Sequence, residues 1–436
     1  MALAHHRSHE CTLAELDLFA PPLTQLSIEG SQYVEMLPIS ALTEDGPIEF
    51  FVPGDGSKYL DLADTLLQLQ LQVTNADGSR LPAAEKVGLI NYPLNTIFSQ
   101  VDVTLADRLI SQSSSTHPYR SMIEALLNFS DASLKSQFTA GMFFKDKSGQ
   151  MDTTDLTGDA VNEGLVNRAQ RVAGSRSFYV IGPLHADIFF CERLLLNNVD
   201  LRVKLIKANN DFCFISPANS DHKLKILSAS LFVKRVAVSP AVSLGHEAAL
   251  RKENALYPLS RINVKTYSIP QQSRTCQQDN LFLGPMPRYV VVGLVAHTAF
   301  TGRRESNPFN FANYNMEYLA LTQEGRQIPS KPFQPQFSER NAAREFYNLF
   351  TSTGRHLKDL PLCIDHEDFM DGYALYVFNL SANDDTSALS TVSNGSVRLE
   401  MRFKAPLPHT VTLIVYACYD SILEIDSKRQ VLVDYY

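Results

Sequence analysis

The chain has 436 residues, too many for one compact core and suited to two domains of about 200 residues each. Charged residues make up 20% and the formal net charge is -8. The chain therefore lacks the basic excess that displaces counterions from phosphates, which argues against specific nucleic-acid recognition as its main task.

The N-terminal residues Met1–Arg7 lack the apolar stretch of a secretion signal, and His5, His6 and His9 stand in a polar context. Residues 1–27 therefore read as a flexible arm. Strand-like alternation follows. In Leu67-Gln-Leu-Gln-Leu-Gln-Val73 the apolar residues share one face, with Gln68, Gln70 and Gln72 on the other, and Asn75-Ala-Asp-Gly78 predicts a turn. Val101 to Ile110 predicts the next strand. A helix opens at Pro118, where Tyr119, Met122, Ile123, Leu126 and Leu127 form one apolar stripe. The stretch from Ser130 to Arg176 is polar and rich in Gly and Asp, and predicts a long loop projecting from one end of the first domain. Strands over Phe178–Leu184, Val199–Leu205 and Leu224–Val238 complete the first half. Ser239-Pro240 opens a linker helix with Ala241, Leu244 and Ala248 on one stripe.

The second half repeats that order. Met316 to Ile328 predicts a strand, and Ser338 is placed to cap a helix bearing Ala342, Phe346, Leu349 and Phe350. Strands follow over Tyr373–Leu380, Val397–Phe403 and Val411–Ile425, with Asn394-Gly395 as a turn signal. Arg108 and Ile110 of the first half match Arg326 and Ile328 of the second. The class is all-β: two tandem jelly-roll β-sandwiches with a few short helices in loops. The expected division is an arm (1–27), an N-terminal jelly roll (28–238, with the long loop 130–176), a linker helix (239–256) and a C-terminal jelly roll (257–436).

The chemistry-bearing motifs are sparse. The six cysteines, Cys11, Cys191, Cys213, Cys276, Cys363 and Cys418, include no Cys-x-x-Cys, so free and mostly buried thiols are expected. There is no phosphate-cradling glycine loop, nucleophile elbow or His-Glu-x-x-His. His366-Glu367-Asp368 groups a base with acids, but reads as a solvated loop. The sequence supplies no catalytic, cofactor or metal residue. Basic pairs at Lys234-Arg235, Arg251-Lys252 and Arg303-Arg304 read as solvated edges, or alternatively as contacts to packaged nucleic acid. Asn128, Asn379 and Asn394 begin glycosylation triplets that should stay unmodified without a secretion signal. The row Gln68, Gln70, Gln72 is the candidate subunit interface, because uncharged amides suit a face that is later covered. The most apolar run, Tyr289 to Ala296, is far shorter than the roughly 20 residues that span a bilayer.

An ordered set of runs resembles the major capsid proteins of Maverick/Polinton elements and adintoviruses. It comprises Asn91-Tyr-Pro-Leu-Asn-Thr-Ile-Phe-Ser-Gln-Val-Asp-Val-Thr-Leu105, His117-Pro-Tyr-Arg120, Glu124-Ala-Leu-Leu-Asn128, Asp187-Ile-Phe-Phe190 with Glu192-Arg193, and Val236-Ala-Val-Ser-Pro240. Further on stand Gln278-Asp-Asn-Leu-Phe-Leu-Gly284, Asn307-Pro-Phe-Asn-Phe311, Ile328-Pro-Ser-Lys-Pro332, Pro406-Leu-Pro408, Val415-Tyr-Ala417 and Ile422-Leu-Glu-Ile-Asp426. The resemblance runs from about Gln32 to the C-terminus. It implies a double jelly-roll subunit that forms homotrimeric, pseudo-hexagonal capsomers of an icosahedral double-stranded DNA virus or virus-like transposon. The implied partners are further copies of the chain, minor or penton capsid proteins, and DNA held without sequence preference. The implied location is the virion, after synthesis in host cytoplasm and assembly in nucleus or cytoplasm. Two other readings stand beside it: a jelly-roll carbohydrate-active enzyme or lectin, and a domesticated capsid descendant that no longer assembles.

Overall fold

A computed structural model of the chain describes residues 7, 11, 13–19, 21–158, 160–381 and 391–433. The first half carries β1 (Ile28–Met36), β2 (Ile48–Val52), β3 (Lys58–Asn75), β4 (Phe98–Leu105), β5 (Arg108–Leu109), β6 (Phe178–Pro183), β7 (Leu201–Lys207) and β8 (His222–Val238). They pair antiparallel into two sheets of order β1-β8-β3-β6 and β2-β7-β4-β5. The second half carries β9 (Ala255–Ile269), β10 (Thr275–Pro285), β11 (Tyr289–Ala296), β12 (Met316–Gln323), β13 (Arg326–Phe333), β14 (Tyr376–Asn379), β15 (Asn394–Phe403) and β16 (Val411–Ile425). Its sheets have the orders β9-β16-β11-β14, with the short strand Val431–Val433 added beside the end of β16, and β10-β15-β12-β13. Adding eight to each strand number of the first half reproduces the second. Each half is a jelly roll, and the chain is a double jelly roll.

Side-chain alternation places the cores. Leu67, Leu69, Leu71 and Val73 of β3 are fully buried between the sheets of the first barrel, where Phe50, Val52, Val103, Leu105 and Leu205 meet them. Burying each such side chain is worth roughly 2 kcal/mol, and slipping the strand by one residue would turn all four into water. In the second barrel, β11 and the first half of β16 are buried at nearly every position, because both of their faces are covered.

The two barrels also share a turn. Ala106 and Asp107 join β4 to β5 with φ of 43° and 63°, and Glu324 and Gly325 join β12 to β13 with φ of 48° and 83°. Paired left-handed residues between registered strands make the tight hairpin whose twist matches the strands it links. Arg108 and Arg326 follow this turn at the same place. The expected strand from Met316 to Ile328 is thus two strands of a hairpin.

Four further expectations need correction. The 130–176 segment does not project as a polar loop: it follows α1 (His117–Asn128), contains α2 (Asp131–Lys135) and α3 (Glu163–Val172), and buries Leu134, Phe138, Met142, Phe143, Met151, Leu165 and Val172. Asp146, Asp152, Asn162 and Arg168 within it bond to one another or to the second barrel, so part of its polarity serves hydrogen bonding rather than hydration. The linker helix α4 (Pro240–Leu250) forms, but only Leu250 is buried, so its apolar stripe faces outward. Asn394-Gly395 is no turn; it begins β15, opposite Pro285 and Gly284. The helix expected from Ser338 begins later, as α5 (Ala343–Ser352), because Arg340 takes a left-handed φ of 51° that interrupts it. Among the described residues no helix is long and apolar enough to cross a membrane.

Candidate assembly surfaces and the junction between the barrels

The helix that opens the 117–128 region lies at the junction of the two barrels. It spans His117–Asn128, and every residue but Asn128 is buried. Its apolar stripe enters the first barrel as expected. Its polar face is also covered, because the second barrel packs over it. Arg120 and Glu124 share that face at i and i+4. Arg120 Nε donates to Glu124 Oε1 at 3.0 Å, and Nη2 donates to Asp187 Oδ1 at 2.6 Å. Glu124 Oε2 accepts from His185 Nδ1 at 2.6 Å, and Oε1 accepts from Tyr416 of β16 at 3.3 Å. Asp187 Oδ1 also accepts from the backbone N–H of Ile262 on β9 at 3.3 Å. One cation and two carboxylates of the first barrel therefore hold two strands of the second. Gln112 reinforces the seam, donating to Asn263 Oδ1 at 3.0 Å and accepting from the Val264 N–H at 3.1 Å.

The electrostatics follow from burial. Burial alone raises the pKa of Glu124, but the Arg120 charge and the His185 hydrogen bond outweigh it and bring the group down to about 2. Asp187 shifts the other way: its burial outweighs the pull of Arg120, and the nearby Glu124 charge adds to the rise. Burial and the Arg120 charge lower His117 to about 3, so it is neutral at physiological pH. The adjoining cavity, lined by Ser111, Thr116, His117, Arg120 and His185 among others, is about 20 Å3, room for one water. The cluster clamps the second barrel to the first.

A second bridge comes from the 130–176 segment. Arg168 of α3 is wholly buried and donates to the carbonyls of Leu89 and Phe144, each at 2.7 Å, and to Asp146 Oδ1 at 2.6 Å. Asp146 also accepts from Asn162 at 2.8 Å and from Asn307 of the second half at 2.9 Å, while its carbonyl accepts from Tyr373 at 2.7 Å. Asp152 accepts from the Asn307 N–H at 2.6 Å and from Asn310 at 2.7 Å. Neither Arg168 nor Asp146 was distinguishable in the sequence from solvated charge. The available signal was the resemblance: His117–Arg120, Glu124, Asp187 and Asn307–Phe311 all fall in its quoted runs, and all sit at this junction.

The other sequence candidates disperse. His366-Glu367-Asp368 opens helix α6 (His366–Asp371), where Asp368 forms a capping box with Asp365 and pairs with Lys145, Glu367 pairs with Arg340, and His366 packs edge-on to Phe346. Lys234 pairs with Asp61 and Asp64, Arg235 with Asp55, Arg303 with Glu305, and Arg304 with Asp211. Four of those six basic residues are therefore already neutralised within the chain. His5, His6 and His9 lie outside the described residues. Among the described residues no group of three or more His, Cys, Asp and Glu is placed to hold a metal ion. All six cysteines are free; five are buried and Cys11 is exposed.

Gln68, Gln70 and Gln72 occupy the outer face of β3, a central strand of its sheet, and each is part-buried. Gln70 and Gln68 lie opposite Ser228 and Ser230 of β8, and opposite Tyr179 and Ile181 of β6. Gln72 donates to the Ser175 carbonyl at 2.9 Å. Around them Tyr179 is 61% exposed, and Leu227, set out by a bulge in β8, is 45% exposed. The face carries amides and hydroxyls along its centre, with Lys225 opposite Gln72, Glu35 bonded to Ser230, and the exposed Tyr179 and Leu227 beside them.

No family model matches the chain. A protein of Caenorhabditis elegans, described as uncharacterized protein F54H12.2, is 26% identical over 429 residues, covering 95% of this chain and 99% of its own length. Among solved structures, a chain of the Sputnik virophage aligns with a TM-score of 0.67 at 11% identity, covering 98% of this chain and 94% of that one. The mavirus major capsid protein aligns at 0.56 and 11% identity, covering 100% and 97%. The PBCV-1 virus capsid protein aligns at 0.58 and 10% identity, covering 96% and 99%. The chain thus has, over its whole length, the double jelly-roll fold seen in viral major capsid proteins.

Proposed function

We propose that the protein is a major capsid protein whose homotrimers form pseudo-hexagonal capsomers of an icosahedral double-stranded DNA virus or virus-like transposon. The observation that carries this is the repeated strand order of two barrels locked side by side by buried polar bridges. Such a subunit is rigid and has two lobes of like architecture. Three of them around an axis place six barrels in a ring, which tiles a shell. The Maverick/Polinton and adintovirus lineage is supported by the ordered runs quoted above. The division into an arm (1–27), two barrels (28–238 and 257–436) and a linker (239–256) belongs to the same proposal. So does a scaffolding rather than enzymatic role, with location in the virion, minor or penton proteins at special positions, and DNA held without sequence preference.

Interfaces of this permanence bury roughly 2,000–5,000 Å2. Three chains at -8 total -24, so apolar and hydrogen-bonded contact must exceed charge repulsion, and added salt should favour assembly. The test is light scattering of the purified chain at moderate ionic strength, followed by negative-stain microscopy. Trimers with a hexagonal outline are expected. A stable monomer at micromolar concentration would overturn the proposal.

A further inference from the structure

Two adjoining apolar surfaces lack cover. Within the arm, Leu13, Leu16, Leu18, Phe19, Leu23 and Leu26 are each at least 65% exposed. Helix α4 shows the second surface. Ala241, Leu244 and Ala248 fall at helical spacing on one stripe and all face outward, with Leu244 71% exposed. The charged residue of this helix, Glu247, pairs with Arg429, and His246 bonds to the Tyr59 hydroxyl at 2.9 Å. Its polar groups are thus held by the body while its apolar stripe faces water, the reverse of a solvated helix. The two surfaces adjoin: the Ser239 N–H bonds to the Ser27 carbonyl at 2.9 Å, and Ile28 pairs with Val238. Within one chain neither covers the other.

We propose that the arm of one copy lies along the α4 stripe of a second copy. This rests on the capsomer reading and names a contact within it. Reach allows it: residues 11–27, extended, span roughly 55 Å, against an expected radius of gyration of about 22 Å for a compact chain of this length. Charge favours it. The arm between Cys11 and Ser27 carries Glu15 and Asp17 and no Lys or Arg, while exposed Arg251, Lys252 and Glu253 follow α4 directly and leave one net positive charge there. The same acidity argues against an anionic membrane as the occupant.

The test uses two full-length, differently tagged chains, co-expressed. One carries Cys11→Ser and Phe19→Cys; the other carries Cys11→Ser and Leu244→Cys. The remaining cysteines are buried. A short thiol cross-linker should yield a covalent heterodimer, and adding Arg251→Glu and Lys252→Glu to the second chain should lower its yield about tenfold. Trimers by light scattering without a heterodimer would overturn arm docking and leave the capsomer reading standing. So would an internal link, without covalent dimers, in a single chain carrying both new cysteines. Monomers throughout would overturn both.

Discussion

Replacing Glu124 with glutamine removes one charge from the clamp while keeping its shape and an acceptor for Tyr416. In the folded chain Glu124 is held at about 2 against an ordinary 4.5, a difference worth roughly 3 kcal/mol at neutral pH. The sign follows from the direction. A carboxyl whose folded pKa is depressed adds its full stability above about 4.5 and loses it as pH falls through about 2. At pH 3.5 the same arithmetic leaves roughly 2 kcal/mol. Glu124→Gln should therefore cost roughly 3 kcal/mol at pH 7 and less at pH 3.5, measured by urea denaturation with far-ultraviolet circular dichroism. Asp187 shifts upward instead, so Asp187→Asn should cost less at neutral pH than Glu124→Gln. An equal loss at both pH values, or none at pH 7, would refute the assignment of Glu124 as the ionised centre of the junction.

Other expectations are simpler to check. Replacing Gln68, Gln70 and Gln72 together with lysine should block oligomerisation in light scattering if that face joins subunits; unchanged trimers would rule the face out. A thiol reagent should titrate one fast cysteine, Cys11, in the native protein and six in denaturant, because the other five are buried. Gly164→Ala should lower stability by about 1–3 kcal/mol in thermal melts, since a methyl group there collides with the carbonyl oxygens of Lys145 and Phe144.

Period-two patterning in the sequence assigned strands such as β3, β4, β7, β8, β15 and β16 but did not single out β1, β2, β9, β10 or β11. The Leu67–Val73 run could bury its leucines only as a strand with one inward face, and the two-residue turn before Arg108 and Arg326 left a trace in both halves. Local pattern also identified the helix at 117–128 and its apolar stripe. What it could not say was what lay against the other side. Arg120 and Glu124 at i and i+4 look the same on a solvated helix as in a dry seam, because the residue that decides, Tyr416, is almost 300 positions away in the chain. The 130–176 segment reads as loop for a similar reason: its Asp and Asn residues are polar, and only the fold shows that their partners are Arg168, Asn307 and Asn310 rather than water. The α4 stripe errs in the opposite sense, apolar by pattern yet uncovered within the chain. Facing within an alternating strand is a local property of the backbone pleat, so the sequence by itself determined it for runs such as Leu67–Val73. Strand order, the buried charge at the seam and the surfaces left bare depend on contacts between distant segments, and only the tertiary structure decided those.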